Sequence, residues 1–168
     1  LAVTLEGQAI LARNNYALGS QITADILNQI IEEGKFKGQS VAFALAVTLE
    51  GQAFLAHNYC ALGSQITADT LNQVIREGTF KGQSVAFLLA EILEGQAILA
   101  HNNCALASQI TADTLNQVVE EGLHKEHSVA YFLARTPEGE AILAHGNPSL
   151  GSQITADTLN QVVEEGPY

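Results

Sequence analysis

The chain has 168 residues, 47% of them hydrophobic, and 18 acidic against 7 basic side chains give a formal net charge of −11. That apolar share can offset ordering entropy and excludes a disordered chain. The shortage of cations argues against nucleic acid and against anionic membrane surfaces, both of which need positive charge.

No run reaches the roughly 20 apolar residues of a membrane-spanning helix, and the longest candidate, residues 85–93, is interrupted by Glu91. Met is absent and the chain opens at Leu1, so the sequence reads as processed, trimmed or part of something longer. No signal peptide fixes a compartment. Cys60 and Cys104 occupy the same position of neighbouring repeats. A disulfide needs Cα atoms within about 7 Å, so two free thiols are expected.

Self-similarity organises everything else. Ser-Gln-Ile-Thr-Ala-Asp begins at Ser20, Ser64, Ser108 and Ser152, a spacing of 44 each time, and Glu6, Glu50, Glu94 and Glu138 of a Glu-Gly pair keep the same spacing. The copies are 1–36, 37–80, 81–124 and 125–168. Leu1 aligns with Leu45, so the first copy has no counterpart of 37–44.

In chain order, each unit predicts a strand, a turn, a second strand and a short helix. Residues 40–49 are rich in Val, Phe and Leu with interspersed Ala, a strand signal. In the last copy Thr136-Pro137-Glu138-Gly139-Glu140 suits a type I turn with a Gly bulge. The second strand follows at 52–58, with Leu45 opposite Leu55 and Ala46 opposite Phe54. Thr67 is then a good N-cap, Asp69 suits the helix dipole, and Ile66 and Leu71 stand at the positions of a hydrophobic staple. Leu71, Val74 and Ile75 form an apolar stripe over about ten residues, and Gly78 is placed to end the helix.

The expected class is therefore α+β: a tandem array of four 44-residue ββα repeats. A unit this small buries too little core alone and must share one with its neighbours. An open stack and a closed pseudo-four-fold ring both fit. The polar drift of the last copy (Arg135, Glu140, Gly146, Pro148) favours an open stack with an end cap.

Repeated polar residues are the functional lead. Arg13-Asn14, His57-Asn58, His101-Asn102 and His145-Gly146 fall at the end of the second strand. A row of His or Arg along one rim could hold a carbohydrate or small anionic ligand several times over. Its bland counterpart is a polar strand end entering a loop. Ser20, Gln21, Asn28, Gln29 and their equivalents could face a ligand or, as the sequence reading prefers, cross-link copies by amide hydrogen bonds.

No metal site is expected, since one His per copy gives no chelating pair and zinc usually takes three or four ligands. His124 and His127, between a Gly and a strand, read as a solvated link. No catalytic set is expected either. Cys60 and Cys104 each follow a His by three residues, but nothing marks a third member. Gly-Gln-Ser at Gly38 and Gly82 precedes a strand, not the helix a phosphate loop requires.

The expectation is a non-enzymatic structural or self-associating repeat protein without cofactor, its open strand edge near residues 13–16 inviting strand addition from another chain. The alternative is a multivalent, lectin-like or anion-binding module.

Overall fold

The computed structural model describes residues 4, 7, 22–60, 62–146 and 148–164. Among them are ten helices: α1 (Ala24–Asn28), α2 (Val41–Ala46), α3 (Leu49–Cys60), α4 (Ala68–Asn72), α5 (Val85–Glu91), α6 (Leu93–Cys104), α7 (Ala112–Asn116), α8 (Val129–Leu133), α9 (Pro137–Ala144) and α10 (Ala156–Glu164). Three 3₁₀ turns precede α4, α7 and α10. The described residues contain no strand, and the only bridges are Ile30 with Ser40 and Gly146 with Ser149. The α+β class, the ββα unit and the β-hairpin are thus overturned. The unit is three short helices.

The first predicted strand is a helix because Ser starts it. The hydroxyls of Ser40, Ser84 and Ser128 accept from Phe43 N (3.0 Å), Phe87 N (3.2 Å) and Tyr131 N (3.1 Å). Gly-Gln-Ser therefore precedes a helix after all, with Ser as its N-cap. Val85 to Ala90 are all buried. A helix covered on every side carries no polar face, so its sequence shows no 3.6-residue period.

The predicted turn is the start of the second helix. Gly51 N and Gly139 N each donate to the hydroxyl of Thr48 or Thr136 at 3.0 Å. Pro137 occupies the first turn, where its missing N–H costs nothing. The glycine of Glu-Gly is needed for close approach, not for a bulge. A Cβ on Gly51, Gly95 or Gly139 would stand 2.0, 2.2 or 2.1 Å from the carbonyl oxygen of Leu45, Leu89 or Leu133. The first and second helices of the second, third and fourth units thus touch backbone to backbone, and the expected Leu45–Leu55 and Ala46–Phe54 strand pairing does not exist.

In the third unit Ile92 replaces the capping threonine, and no side chain caps α6. Ile92→Thr is expected to raise stability by about 1 kcal/mol, the ordinary worth of an N-cap. A thermal melt reads it as a higher midpoint, and a lower one would show that Ile92 packing outweighs the cap.

The third helix begins where the sequence places it: Thr67, Thr111 and Thr155 accept from Thr70 N, Thr114 N and Thr158 N. In α1, α4 and α7 it ends sooner than the apolar stripe suggests. Ile75 N donates to Gln83 O and Gly82 N to Ile75 O, both at 2.8 Å. Ile31 and Val119 make the same pair of bonds with Gln39 and Gly38, and with His127 and Glu126. This loop into the next unit pulls the backbone out of helix at Gln73 (ψ 108°). Gly78, at φ +83°, belongs to that loop and not to a helix cap.

Gly38 and Gly82 hold φ of +79° and +84° in the loop, and Glu126 takes the same role at +70°. A side chain in the left-handed region costs roughly 1–2 kcal/mol, and glycine's entropy returns part of that. Glu126→Gly is expected to stabilise by about 1 kcal/mol, seen as a higher urea midpoint; no shift would mean that the loop tolerates Glu126 without strain.

The units stack in order. First helices α2, α5 and α8 pack on one another, as do second helices α3, α6 and α9. Each third helix packs on the first helix of the following unit: α1 on α2, α4 on α5, α7 on α8. One continuous core results, from Leu27 to Leu150.

Candidate functional site

Of the row proposed from sequence, Arg13 and Asn14 lie outside the described residues. His57 and Asn58 fall in the last turn of α3. His101 leaves helical geometry at ψ 147°, and Asn102 follows in the left-handed region at φ 52°, ψ 53°. In the last unit His145 caps α9 in extended geometry (ψ 146°), and Gly146 has φ +90°. His-Asn and His-Gly are therefore helix C-terminal signals. Asn and Gly are the residues that adopt the left-handed conformation beyond a helix end, and a His there lies near the carbonyl end of the dipole. In the last three units the row is a series of helix ends and not a strand rim.

In the last residues of α6 the left-handed course continues through Asn103 and Cys104. Cys104 is free and buried, and burial pushes its thiol pKa up. That is the wrong direction for a nucleophile, which acts as thiolate. Cys104 and His145 both line a small cavity of about 70 Å³, with Ser108 and Gln153. No group of three or more His, Cys, Asp or Glu among the described residues could hold a metal.

The amides are placed differently. Asn72 donates from one Nδ2 to Ala68 O within its own helix and to Gln109 O in the next unit, both at 2.8 Å. Its Oδ1 accepts from Thr111 N at 2.9 Å. Asn28 repeats this with Ala24 O, Gln65 O and Thr67 N, and Asn116 with Ala112 O, Gln153 O and Thr155 N. Each asparagine joins the third helix of one unit to the segment entering the third helix of the next. The result is a ladder along the stack.

A second set of rungs, which the sequence reading did not single out, runs through the core. Gln52 is buried and donates to Ala46 O (2.7 Å) and, across the junction, to Leu88 O (3.0 Å). Gln96 donates to Ala90 O at 2.8 Å and accepts from the Thr136 hydroxyl of the next unit. The available signal was Glu-Gly-Gln recurring at a spacing of 44 in the first three copies: a Gln following a close-packed Gly sits beside a neighbouring backbone.

His124 and His127 are not a solvated link. Phe36, Phe80 and His124 occupy equivalent positions of successive units. Phe36 stacks on Phe80 at 6.0 Å, and His124 meets Phe87 and Phe132 edge-on. Its Nε2 lies 3.4 Å from Glu91 Oε1. His127 stacks on Tyr131 at 4.1 Å. The two imidazoles are thus engaged with aromatic rings at the third–fourth junction.

Shallow grooves follow the asparagine ladder. One is lined by Asn28, Thr67, Asp69, Asn72 and Thr111, and another by Asp113, Asn116, Gln117, Gln153 and Thr155. Their floors are the ladder's own hydrogen bonds. Among the described residues no helix is long and apolar enough to cross a membrane. No protein-family model, curated protein or solved structure matches this chain.

Proposed function

We propose that this chain is a non-enzymatic structural repeat protein that self-associates. The observation that carries this reading is where its repeated polar groups are engaged. The amides of Asn28, Asn72 and Asn116 bind backbone across each junction, and inside the core Gln52 binds backbone of the next unit while Gln96 accepts from the next unit's Thr136 hydroxyl. Side chains committed to holding units in register describe a scaffold that builds by adding like units. Nearest-neighbour packing of this kind is the physics of solenoid arrays. The open strand edge expected near residues 13–16 lies outside the described residues, and the equivalent residues 57–60 are helical, so the reading does not draw on strand addition.

Light scattering on the purified chain across the micromolar to millimolar range tests the reading. Mass rising with concentration is expected, and a monomer at every concentration would end it.

A second reading, a multivalent binding module, draws on the recurrence of the ladder grooves. Their amides, hydroxyls and the carboxylates of Asp69 and Asp113 suit a carbohydrate better than an anion. It predicts several weak, equal sites whose linkage gives avidity. A glycan array tests it, with Asp69→Ala as the variant expected to lose signal. A blank array removes the reading.

A further inference from the structure

The stack has an apolar position that is covered three times and uncovered once. Leu27, Leu71 and Leu115 are fully buried, each on a third helix that packs under the first helix of the following unit. Leu159 stands at the same position of α10 and is 51% exposed: α10 packs on α8 of its own unit, and no first helix follows it among the described residues. At the other end, Val41 of α2 is only part buried, whereas its equivalents Val85 and Val129 are 1% exposed. No first helix is packed ahead of α2 among the described residues. Among the described residues the two faces are complementary: α10 presents a leucine left half exposed, and α2 a valine only part buried.

The helix now lying under α2 is α1, and its sequence is nearly that of α10. Residues 22–34 and 154–166 differ only at Ile26/Thr158, Ile30/Val162 and Ile31/Val163. Leu159 and Asn160 therefore match Leu27 and Asn28 in type and spacing.

We infer that α10 is a docking surface for a second copy of this chain, whose α2 it enters by taking the place of α1. This rests on the self-association proposed above and names its surface. In the exchanged pair Leu159 is buried as Leu27 is now. Asn160 takes up the bonds that Asn28 makes to Gln65 O and Thr67 N. The incoming unit also brings α8 and α9, so α8 stacks on α2 as α5 stacks on α2 from the other side, and Val41 gains cover. Exchange of like elements is a low-cost route to association. Chain connectivity opposes it, because α1 is held near α2 at a high effective concentration, so association should appear only in concentrated solution. The contact is heterologous, joining α10 of one copy to α2 of the next, so growth does not stop at a dimer.

Sedimentation of the full chain over a concentration series tests this, with Leu159→Asp and Asn160→Ala alongside. Both positions are exposed, so unchanged melting curves will show that the variants fold. The expected result is a weight-average mass that climbs without a plateau for the parent chain, and a monomer or a shift to at least tenfold higher concentration for both variants. A parent chain that climbs while both variants climb equally overturns the α10 surface and leaves self-association standing. A parent chain that stays monomeric throughout overturns both.

Discussion

Gly95→Ala is expected to destabilise the protein by about 3 kcal/mol, at the upper end of what overpacking a core costs, although the same change in an ordinary helix interior gains about 1 kcal/mol. The reversal comes from what the methyl would meet. Its carbon would lie 2.2 Å from Leu89 O, 2.6 Å from Leu89 Cα and 2.5 Å from Gln52 Oε1. Two of these atoms are backbone of α5 and cannot rotate aside. The third belongs to the glutamine that ties the second unit to the third. Relief requires α6 to part from α5, and parting them thins the packing around Leu89, Ile98 and Leu99, which are at most 1% exposed.

Urea unfolding followed by circular dichroism measures the loss. Gly78→Ala is the comparison. Gly78 has φ +83° with nothing within 4 Å of an added Cβ, so it should cost only the roughly 1 kcal/mol of a left-handed alanine. If Gly95→Ala cost no more than Gly78→Ala, the backbone contact of α5 and α6 would be wrong.

That contact also explains which parts of the fold were legible in the sequence. The 44-residue period survives, because repetition of sequence imposes repetition of structure whatever the local element is. Thr67, Asp69, Ile66 and Leu71 place the start of the third helix, because capping depends on a few neighbouring residues. The first two helices were misread as strands for a physical reason. Ser-Val-Ala-Phe-Leu-Leu-Ala is buried on all sides, and a fully buried run has no period to separate helix from strand. Glu-Gly resembled a turn because Gly usually supplies backbone freedom, whereas Gly95 supplies the absence of a methyl.

The overlooked evidence was capping. Ser84 three residues before Phe87, and Thr136 before Pro137, are helix starts, and His101-Asn102 is a helix stop. Helix length lay outside local reach altogether. Thr-Ala-Asp-Thr-Leu-Asn-Gln-Val-Val forms the five-residue α7, where Val119 is drawn into the next loop, and the nine-residue α10, which has no following loop partner among the described residues. One sequence adopts two lengths, and the neighbouring unit decides which.

Asn72→Ala is expected to cost about 2 kcal/mol, from three neutral hydrogen bonds worth roughly 1 kcal/mol each, reduced because water can reach part of the site. The loss falls on a junction and not on a unit. Nδ2 holds Ala68 O and Gln109 O, and Oδ1 holds Thr111 N, so one truncation frees groups on both sides of the boundary. In a stack whose units touch only their neighbours, a weakened junction lets the two halves open separately. Hydrogen exchange should therefore accelerate at the Thr111 amide before it does at Thr67, whose partner Asn28 is intact.

Asn72→Asp separates charge from bonding. The carboxylate still accepts from Thr111 N but faces Ala68 O and Gln109 O with no donor, so it should be worse than alanine at neutral pH and recover towards it as acid protonates the group. Asn160→Ala supplies the reference: the same residue type on α10, exposed, with no unit beyond it among the described residues. In the monomer it should leave stability within a few tenths of a kcal/mol, as surface changes do. A loss at Asn160 equal to that at Asn72 would mean that the amide stabilises its own helix through the bond four residues back, and the ladder would then carry none of the cohesion between units.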